Sequence, residues 1–259
     1  MSSYGKLNLS SPGSFWQNGL SPGNIYNFPN ISSYSPTDIH QRSQAPITTG
    51  TSVLGIKFNG GVVIAADILG SYGSLARFRD CPRVMKVNDN IILGAGGDYA
   101  DFQYLKDIIE QKIIDEECLD DGFPLKPKSL HCWLTRVLYN RRSKLDPFWN
   151  NFIVGGIQDE ETFLGTVDKL GTAFLDDHIA TGYGAYIALP LMRDALEKTP
   201  DMSMREAQGL LVKCLTVLFY RDARSFPKYQ LATISKDEGV SVIGPLELES
   251  NWDVAHMIR

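Results

Sequence analysis

Residues 48–67 of this chain read TTGTSVLGIKFNGGVVIAAD, and the architecture is predicted first from this stretch. Two runs rich in Val and Ile, at 52–58 and 62–67, are typical of β-strands. Asn59-Gly60 between them predicts a hairpin with a type I′ turn, in which both central residues have positive φ. The second run lacks polar alternation, which predicts a strand buried on both faces, as in the middle layer of a sandwich.

The remaining pattern predicts an α+β protein. Ser129 is a candidate N-cap, and Ser203 with Glu206 forms a candidate capping box. Further strands are predicted at 84–87, 91–93, 151–154, 162–167, 229–234 and 240–243, and helices at 101–115, 129–142, 184–198 and 204–220. Runs of strands that alternate with helix pairs predict two antiparallel sheets face to face, with helices outside each, which is a four-layer αββα sandwich.

The first 47 residues differ from the rest of the chain. Ser, Asn, Gly and Pro make up 24 of them, and few are charged. Such a segment buries too little apolar surface to offset its chain entropy, which predicts an extended or disordered segment. A dispensable tail is one interpretation; clustered apolar residues such as Phe15 and Trp16 favour a pro-segment that is removed. We expect a pro-segment at 1–42 and a single domain at 43–259.

Composition excludes several classes of protein. The chain has 259 residues, a formal net charge of −5 and a pI of about 5.4, which disfavours binding to nucleic acid or an anionic membrane. No apolar run approaches the roughly 18–20 residues of a membrane span, and no secretory signal is expected. Four scattered cysteines without a C-x-x-C pair predict neither a disulfide framework nor a metal site. We expect no metal, no cofactor and a reducing compartment.

The Gly50-Thr51 junction and Asp67 predict the chemistry of a threonine nucleophile. A threonine hydroxyl needs a base beside it, and an N-terminal threonine can use its own α-amine. A nearby lysine held by a carboxylate would lower the pKa of the hydroxyl, and a backbone N–H would stabilise an oxyanion. Thr51 lies inside the chain, so the amine exists only if the Gly50–Thr51 bond is cut.

Four motifs in order carry a resemblance to a known family. They are Gly50-Thr51, GVVIAAD at 61–67, GAGGDYAD at 94–101 and YRDARS at 220–225. With this spacing the chain resembles the β-type subunits of the proteasome, which belong to the N-terminal-nucleophile hydrolases. The resemblance covers residues 43–245.

The resemblance implies roles for individual residues. Thr51 sits at the nucleophile position and Asp67 at the carboxylate that orients the lysine. Gly97 matches the residue whose backbone N–H faces the oxyanion, and Asp222 and Ser225 match an accessory pair near the amine. Two further positions of the family site are occupied here by Thr181 and Tyr183.

The lysine of the family site is missing, because its position, 16 residues after Asp67, holds Arg83. A guanidinium stays protonated at any relevant pH and is bulkier than an ammonium. Lys86 would point to the other face of its strand and is a poor substitute. An alternative interpretation is that Asp67 and Arg83 form a plain buried salt bridge without a role in chemistry.

Other ionisable residues near these motifs have structural interpretations. Asp222, at a helix C-terminal end, is electrostatically disfavoured there, which predicts pairing with Arg221, Arg224 or the region around Thr51. His131 and His178 have no matched partners and are expected to be structural.

The resemblance therefore implies a non-catalytic structural and assembly subunit of the 20S proteasome core. It implies other α and β subunits as partners in a 28-subunit barrel for ubiquitin-dependent protein degradation, in the cytoplasm and nucleus. A neighbouring active subunit would cut the pro-segment near Arg42 and Ser43. Two alternatives stay open: an active threonine protease subunit with Thr51 as nucleophile, and a free-standing regulatory or binding protein with the same fold.

Overall fold

Two β-sheets and four helices make up the computed structural model, which describes residues 45–253. The strands are β1 (Thr48–Gly50), β2 (Val53–Phe58), β3 (Gly61–Asp67), β4 (Gly70–Tyr72), β5 (Leu75–Phe78), β6 (Val84–Asn88), β7 (Ile91–Asp98), β8 (Asn150–Gln158), β9 (Glu161–Val167), β10 (Ala173–Leu175), β11 (His178–Ala180), β12 (Lys228–Ser235) and β13 (Gly239–Glu247). The helices are α1 (Tyr99–Glu117), α2 (Pro127–Ser143), α3 (Gly184–Lys198) and α4 (Met204–Arg221).

Both sheets are antiparallel. The larger one has eight strands in the order β10-β9-β8-β7-β1-β4-β5, with β6 paired to β7 beside β1. The smaller one has five strands in the order β11-β2-β3-β12-β13. The chain passes from the larger sheet to the smaller one between β1 and β2, so Thr51 and Ser52 lie at the junction of the two sheets.

Three apolar clusters hold the layers together. Side chains such as Val62 and Ile64 of β3 and Ile153 of β8 fill the space between the sheets. Helices α1 and α2 pack on the outer face of the larger sheet, and α3 and α4 on the outer face of the smaller one. The predicted four-layer αββα sandwich is confirmed.

The first hairpin confirms one prediction and corrects another. Every residue of β3 is buried, as expected for a strand covered on both faces. The turn at Asn59-Gly60 connects β2 to β3, but only Gly60 of the two has positive φ, at +90°. The type I′ prediction is therefore wrong, because that turn requires positive φ at both central residues.

Of the two N-cap predictions for helices, one is confirmed and one is wrong. Ser203 and Glu206 form the predicted capping box of α4, and the bounds of α3 match the prediction. The prediction of Ser129 as N-cap is wrong, because Pro127 starts α2 two residues earlier and Lys126 is the N-cap. Proline suits the first turn of a helix, where its missing N–H would have no partner.

Five short strands were not predicted, namely β1, β4, β5, β10 and β11. Each has only three or four residues, too few for an alternation to stand out. The predicted pro-segment at 1–42 and its cut near Arg42 and Ser43 lie outside the described residues. Within 45–253, no helix is both long and apolar enough to cross a bilayer.

Candidate active site around Thr51

Thr51 lies where four other elements converge. Asp67 ends β3, and Arg83 immediately precedes β6. Gly97 lies in β7 beside Gly50, and Asp222 is the C-cap residue of α4. The structure thus brings most of the predicted site residues to the junction of the two sheets.

The Thr51 hydroxyl donates a hydrogen bond to Asp222. Thr51 Oγ1 lies 2.5 Å from Asp222 Oδ2, and the backbone N–H of Arg224 donates to the other carboxylate oxygen at 2.9 Å. Asp222 is buried, with 6% of its surface exposed. These two bonds compensate for the unfavourable position of a carboxylate at a helix C-terminus, and they confirm that Asp222 pairs with the region around Thr51.

The backbone before Thr51 is a sheet strand. Gly50 pairs with Gly97 and Thr49 with Asp98 on one side of β1, and Thr49 pairs with Ser71 of β4 on the other. Because β1 connects β7 to β4, the segment just before Thr51 is part of the larger sheet. The nitrogen of Thr51 in this continuous chain is a peptide amide, which is not basic and cannot take the proton of the hydroxyl.

Arg83 is buried next to Thr51 and uses every hydrogen-bond donor it has. Nε donates to the Asp67 carbonyl oxygen at 3.1 Å. Nη1 donates to the carbonyl oxygens of Thr51 at 2.9 Å and Ala95 at 3.1 Å. Nη2 donates to the Ser52 carbonyl oxygen at 3.2 Å and to Asp67 Oδ1. A guanidinium has five N–H donors, so its capacity is filled, and its contact with Thr51 goes to the carbonyl rather than the hydroxyl.

Asp67 is held from two sides. One carboxylate oxygen accepts from Arg83, and the other accepts from the Phe226 N–H at 3.1 Å. Burial raises the pKa of Asp67 to about 6, although Arg83 and the Phe226 N–H act in the opposite direction. The pair therefore has the geometry of a buried salt bridge that ties β3 to the segment before β6.

The stem of Arg83 occupies the space beside Gly50. An ideal Cβ on Gly50 would lie within 3.0 Å of Cδ and Nε of Arg83, closer than real Cβ atoms approach. Gly50 thus lets β1 pass directly over the arginine. The glycine of the Gly50-Thr51 motif has a packing role here that its place in the motif did not predict.

Gly97 is fixed by its backbone conformation. Its φ is +93°, and a Cβ would collide with the carbonyl oxygen of Trp149. Both conditions require glycine. Gly97 and Gly50 are register partners in adjacent strands. The Gly97 backbone, which matches the oxyanion position of the family, therefore lies beside β1.

Three other predicted residues have different surroundings. Ser225 donates its hydroxyl to the carbonyl oxygen of Asp222 at 2.7 Å, so it closes the end of α4 and does not reach Thr51. The Thr181 hydroxyl accepts from the Val53 N–H at 3.0 Å. Tyr183 is exposed at the start of α3.

The remaining ionisable candidates have structural contacts. Lys86 is exposed and forms an ion pair with Asp89 at 2.6 Å, away from Arg83. His131 is buried beside the carbonyl oxygen of Thr166 at 3.1 Å, and burial lowers its pKa. All four cysteines are free thiols. In the part of the chain from 45 to 253, no cluster of His, Cys, Asp and Glu side chains could hold a metal ion.

Asp98 belongs to this region and was missed by the sequence analysis. Its side chain caps α1 by accepting from the Ala100 and Asp101 N–H groups, and its second oxygen accepts from the Ile47 N–H at 2.9 Å. It thereby fastens the chain just before β1. An Asp at the end of a strand and directly before a helical pattern is an N-cap signal that could have identified it.

A threonine at the junction of two antiparallel sheets, which lie between two layers of helices, is the architecture of the N-terminal-nucleophile hydrolases. A family model described as "Proteasome subunit" matches residues 47–234. The chain belongs to the proteasome subunit family.

Within this family, the chain is similar to individual β-type subunits. The chain is 53% identical over 240 residues to proteasome subunit beta type-4 of Xenopus laevis, which covers 93% of this chain and 96% of the relative. It is 43% identical to proteasome subunit beta type-4 of Drosophila melanogaster, with 94% and 95% covered. Proteasome subunit beta type-7 of Saccharomyces cerevisiae is 40% identical, with 84% and 85% covered.

Proposed function

We propose that this chain is a non-catalytic structural subunit of the 20S proteasome core. It occupies a position in the β ring and helps to build the wall of the proteolytic chamber. Its partners are the other α and β subunits of a 28-subunit barrel, in the cytoplasm and nucleus. Its pro-segment is cut near Arg42 and Ser43 by a neighbouring active subunit, and its own site needs neither metal nor cofactor.

The burial of Arg83 with all five donors occupied is the observation that carries this proposal. A catalytic lysine would present its ammonium to the threonine hydroxyl. The guanidinium instead bonds to backbone carbonyls and to Asp67, and it cannot give up a proton near neutral pH. The positive charge at this position therefore stabilises the junction of the sheets.

Strand β1, which directly precedes Thr51 in the chain, supports the same proposal. Release of the Thr51 amine would require loss of Thr48–Gly50, which pairs with both β7 and β4. That loss would remove backbone hydrogen bonds from the middle of a sheet and expose two new edges. The chain is better suited to keep its Gly50–Thr51 bond than to break it.

An active threonine protease is the second candidate, and the hydrogen bond from Thr51 to Asp222 favours it. A carboxylate 2.5 Å from the hydroxyl oxygen is within reach of its proton. Asp67 and Gly97 are also retained at the matching positions. The two candidates differ in one property, which is whether Thr51 acts as a nucleophile.

Thr51→Ala in assembled particles tests the proposal. We expect each peptidase activity of the particle to stay within about twofold of wild type, since loss of a true nucleophile costs several powers of ten. A threonine-directed covalent inhibitor should leave Thr51 unmodified, as read by mass spectrometry of the tryptic peptide. The matched control is the same alanine change in a subunit that the inhibitor does label. Loss of one peptidase activity in fully assembled particles, or an adduct on Thr51, would establish the protease instead.

A further inference from the structure

The outer edge of β5 is apolar and exposed. β5 is the last strand of the larger sheet, every one of its residues is exposed, and among residues 45–253 no strand pairs with its outer side. Tyr72, Leu75 and Phe78 expose 47%, 60% and 41% of their surfaces. Free apolar edge strands promote association, and soluble proteins normally cover or charge them. This edge therefore needs an account of what covers it.

Arg77 supplies a cation at the same edge. Its guanidinium lies 5.3 Å from the centroid of the Tyr72 ring and 5.2 Å from that of the Phe78 ring, and such contacts with aromatic rings orient the charge. No Asp or Glu of the described range forms an ion pair with Arg77. A strand that covers this edge should therefore bring a carboxylate to it. We call Tyr72, Leu75, Arg77 and Phe78 the Arg77 patch.

The chain enters the larger sheet close to this patch. Thr48, the first residue of β1, is the register partner of Tyr72 in β4, and Tyr72 is the register partner of Leu75 in β5. Residues 45–47 are exposed, and residues 1–44 lie upstream of them. The upstream chain thus leaves the sheet at the end where β5 begins, two strands away from the free edge.

The upstream chain is long enough to reach the outer side of β5. Neighbouring strands lie about 4.8 Å apart, so a strand added beyond β5 would lie about 14 Å from β1. An extended chain covers about 3.4 Å per residue, so residues 41–47 cross this distance with slack. The crossing meets β5 at its first residue, Leu75. A segment that arrives there along the edge therefore runs antiparallel to β5.

We propose that residues 37–40, which read TDIH, add a strand to the outer side of β5 and cover the Arg77 patch. In antiparallel register, with residue 40 opposite Leu75, Asp38 lies opposite Arg77 and Ile39 opposite Ala76. Opposite charges directly across two strands stabilise the pair. Asp38 is the only acidic residue in the sequence from 1 to 44, so the one available carboxylate falls beside the cation.

The sequence of this segment suits an added strand. Thr37 and Ile39 are β-branched, and such residues are favoured in strands. Residues 37–45 contain no proline, so each of them has a backbone N–H that can donate to a neighbouring strand. The segment therefore offers the edge both backbone donors and the matching charge.

The proposed cut near Arg42 and Ser43 falls in the crossing segment, between the added strand and β1. While the chain is intact, the connection keeps residues 37–40 at a high effective concentration beside β5. After the cut, the short strand belongs to a separate peptide and dissociates. The pro-segment thus covers the edge in the uncut chain and exposes it on removal. This release rests on the proposed function, whereas the pairing with β5 does not.

Hydrogen exchange of the uncut full-length chain tests the pairing. The readout is the exchange rate of the peptide that contains residues 75–78, followed by mass spectrometry. Ile39→Pro removes an N–H from the added strand and should raise this rate at least about tenfold. Ile25→Pro, the same change outside the proposed strand, should leave the rate at its wild-type value. Equal rates for the wild type and Ile39→Pro would overturn the inference.

A charge exchange tests the register. Arg77→Asp places two carboxylates opposite each other and should raise the exchange rate, corrected for the altered sequence, about two- to fivefold, the range for an exposed ion pair. Asp38→Arg in the same chain should restore the wild-type rate. Arg205→Asp, at an exposed position on α4, is the control and should change nothing. If Asp38→Arg does not restore the rate, Asp38 does not lie opposite Arg77.

The concentration dependence of the exchange rate identifies the occupant of the edge. Protection of residues 75–78 by the chain's own segment is independent of protein concentration, and this is the expected result. Protection that increases with concentration would show that a second copy covers the edge, which would overturn the inference. These outcomes leave the test on Thr51 untouched, so the pairing and the proposed function fail separately.

Discussion

Arg83→Ala is expected to destabilise the folded chain by at least 3–5 kcal/mol, the cost of removing one partner of a buried ion pair. The change leaves the Asp67 carboxylate buried with only the Phe226 N–H, and it removes donors from four backbone carbonyl groups, those of Thr51, Ser52, Asp67 and Ala95. It also leaves a cavity where the largest fully buried side chain of residues 45–253 was. Thermal or urea unfolding of the full-length chain measures the loss.

Two variants make this measurement specific. Lys86→Ala removes a nearby basic residue whose ion pair is exposed, and it should change the free energy of unfolding by less than about 1 kcal/mol. Arg83→Lys keeps the charge but has three donors for five acceptors, so an intermediate loss is expected. A loss below about 1 kcal/mol for Arg83→Ala would contradict the structural role of the arginine.

Gly97→Ala is expected to have the second large effect, a loss of about 3 kcal/mol or more. Its φ of +93° is strained for any residue with a Cβ. The Cβ would also collide with the Trp149 carbonyl oxygen, a backbone atom that cannot rotate away as a side chain can. Overpacking of this kind usually costs about 1–3 kcal/mol before backbone strain is added.

Gly73→Ala is the matched control, because it separates strain from collision. Gly73 also has positive φ, at +60°, but a Cβ there would meet no atom within 4 Å. We expect a loss of only about 1 kcal/mol, the cost of a left-handed residue with a side chain. If both variants lose the same free energy of unfolding, the Gly97 backbone does not lie as close to the Trp149 carbonyl oxygen as described here.

Most of the fold could be predicted because its long elements repeat a clear pattern. The apolar run of β3 and the capping box of α4 each signal one structure strongly. The short strands could not be predicted, since Thr48–Gly50 has too few residues to show a period. Its strand conformation comes from partners far away in sequence, in β4 and β7.

The residues of the site could be predicted from the sequence, but the hydrogen bonds between them could not. The resemblance to the β-type subunits of the proteasome implied that Thr51, Asp67, Arg83 and Asp222 belong to one site. It could not show that Arg83 would bond to the Thr51 carbonyl instead of the hydroxyl, or that Ser225 would turn to the end of α4. Such choices depend on distances of a few ångströms in the folded chain.

We expect Thr51 to stay inside the mature chain. β1 has a place in the larger sheet, Gly50 packs against Arg83, and the Ile47 N–H is bonded to Asp98. These contacts hold the segment before Thr51 in the folded domain. They predict that maturation stops upstream of residue 47.

This expectation is tested by identifying the N-terminal residue of the mature chain. The chain is isolated from assembled particles, and its first peptide is analysed by mass spectrometry. We predict a start close to Ser43, and an intact peptide that spans the Gly50–Thr51 bond. A mature chain that begins at Thr51 would show that β1 is removed and that Thr51 has a free amine.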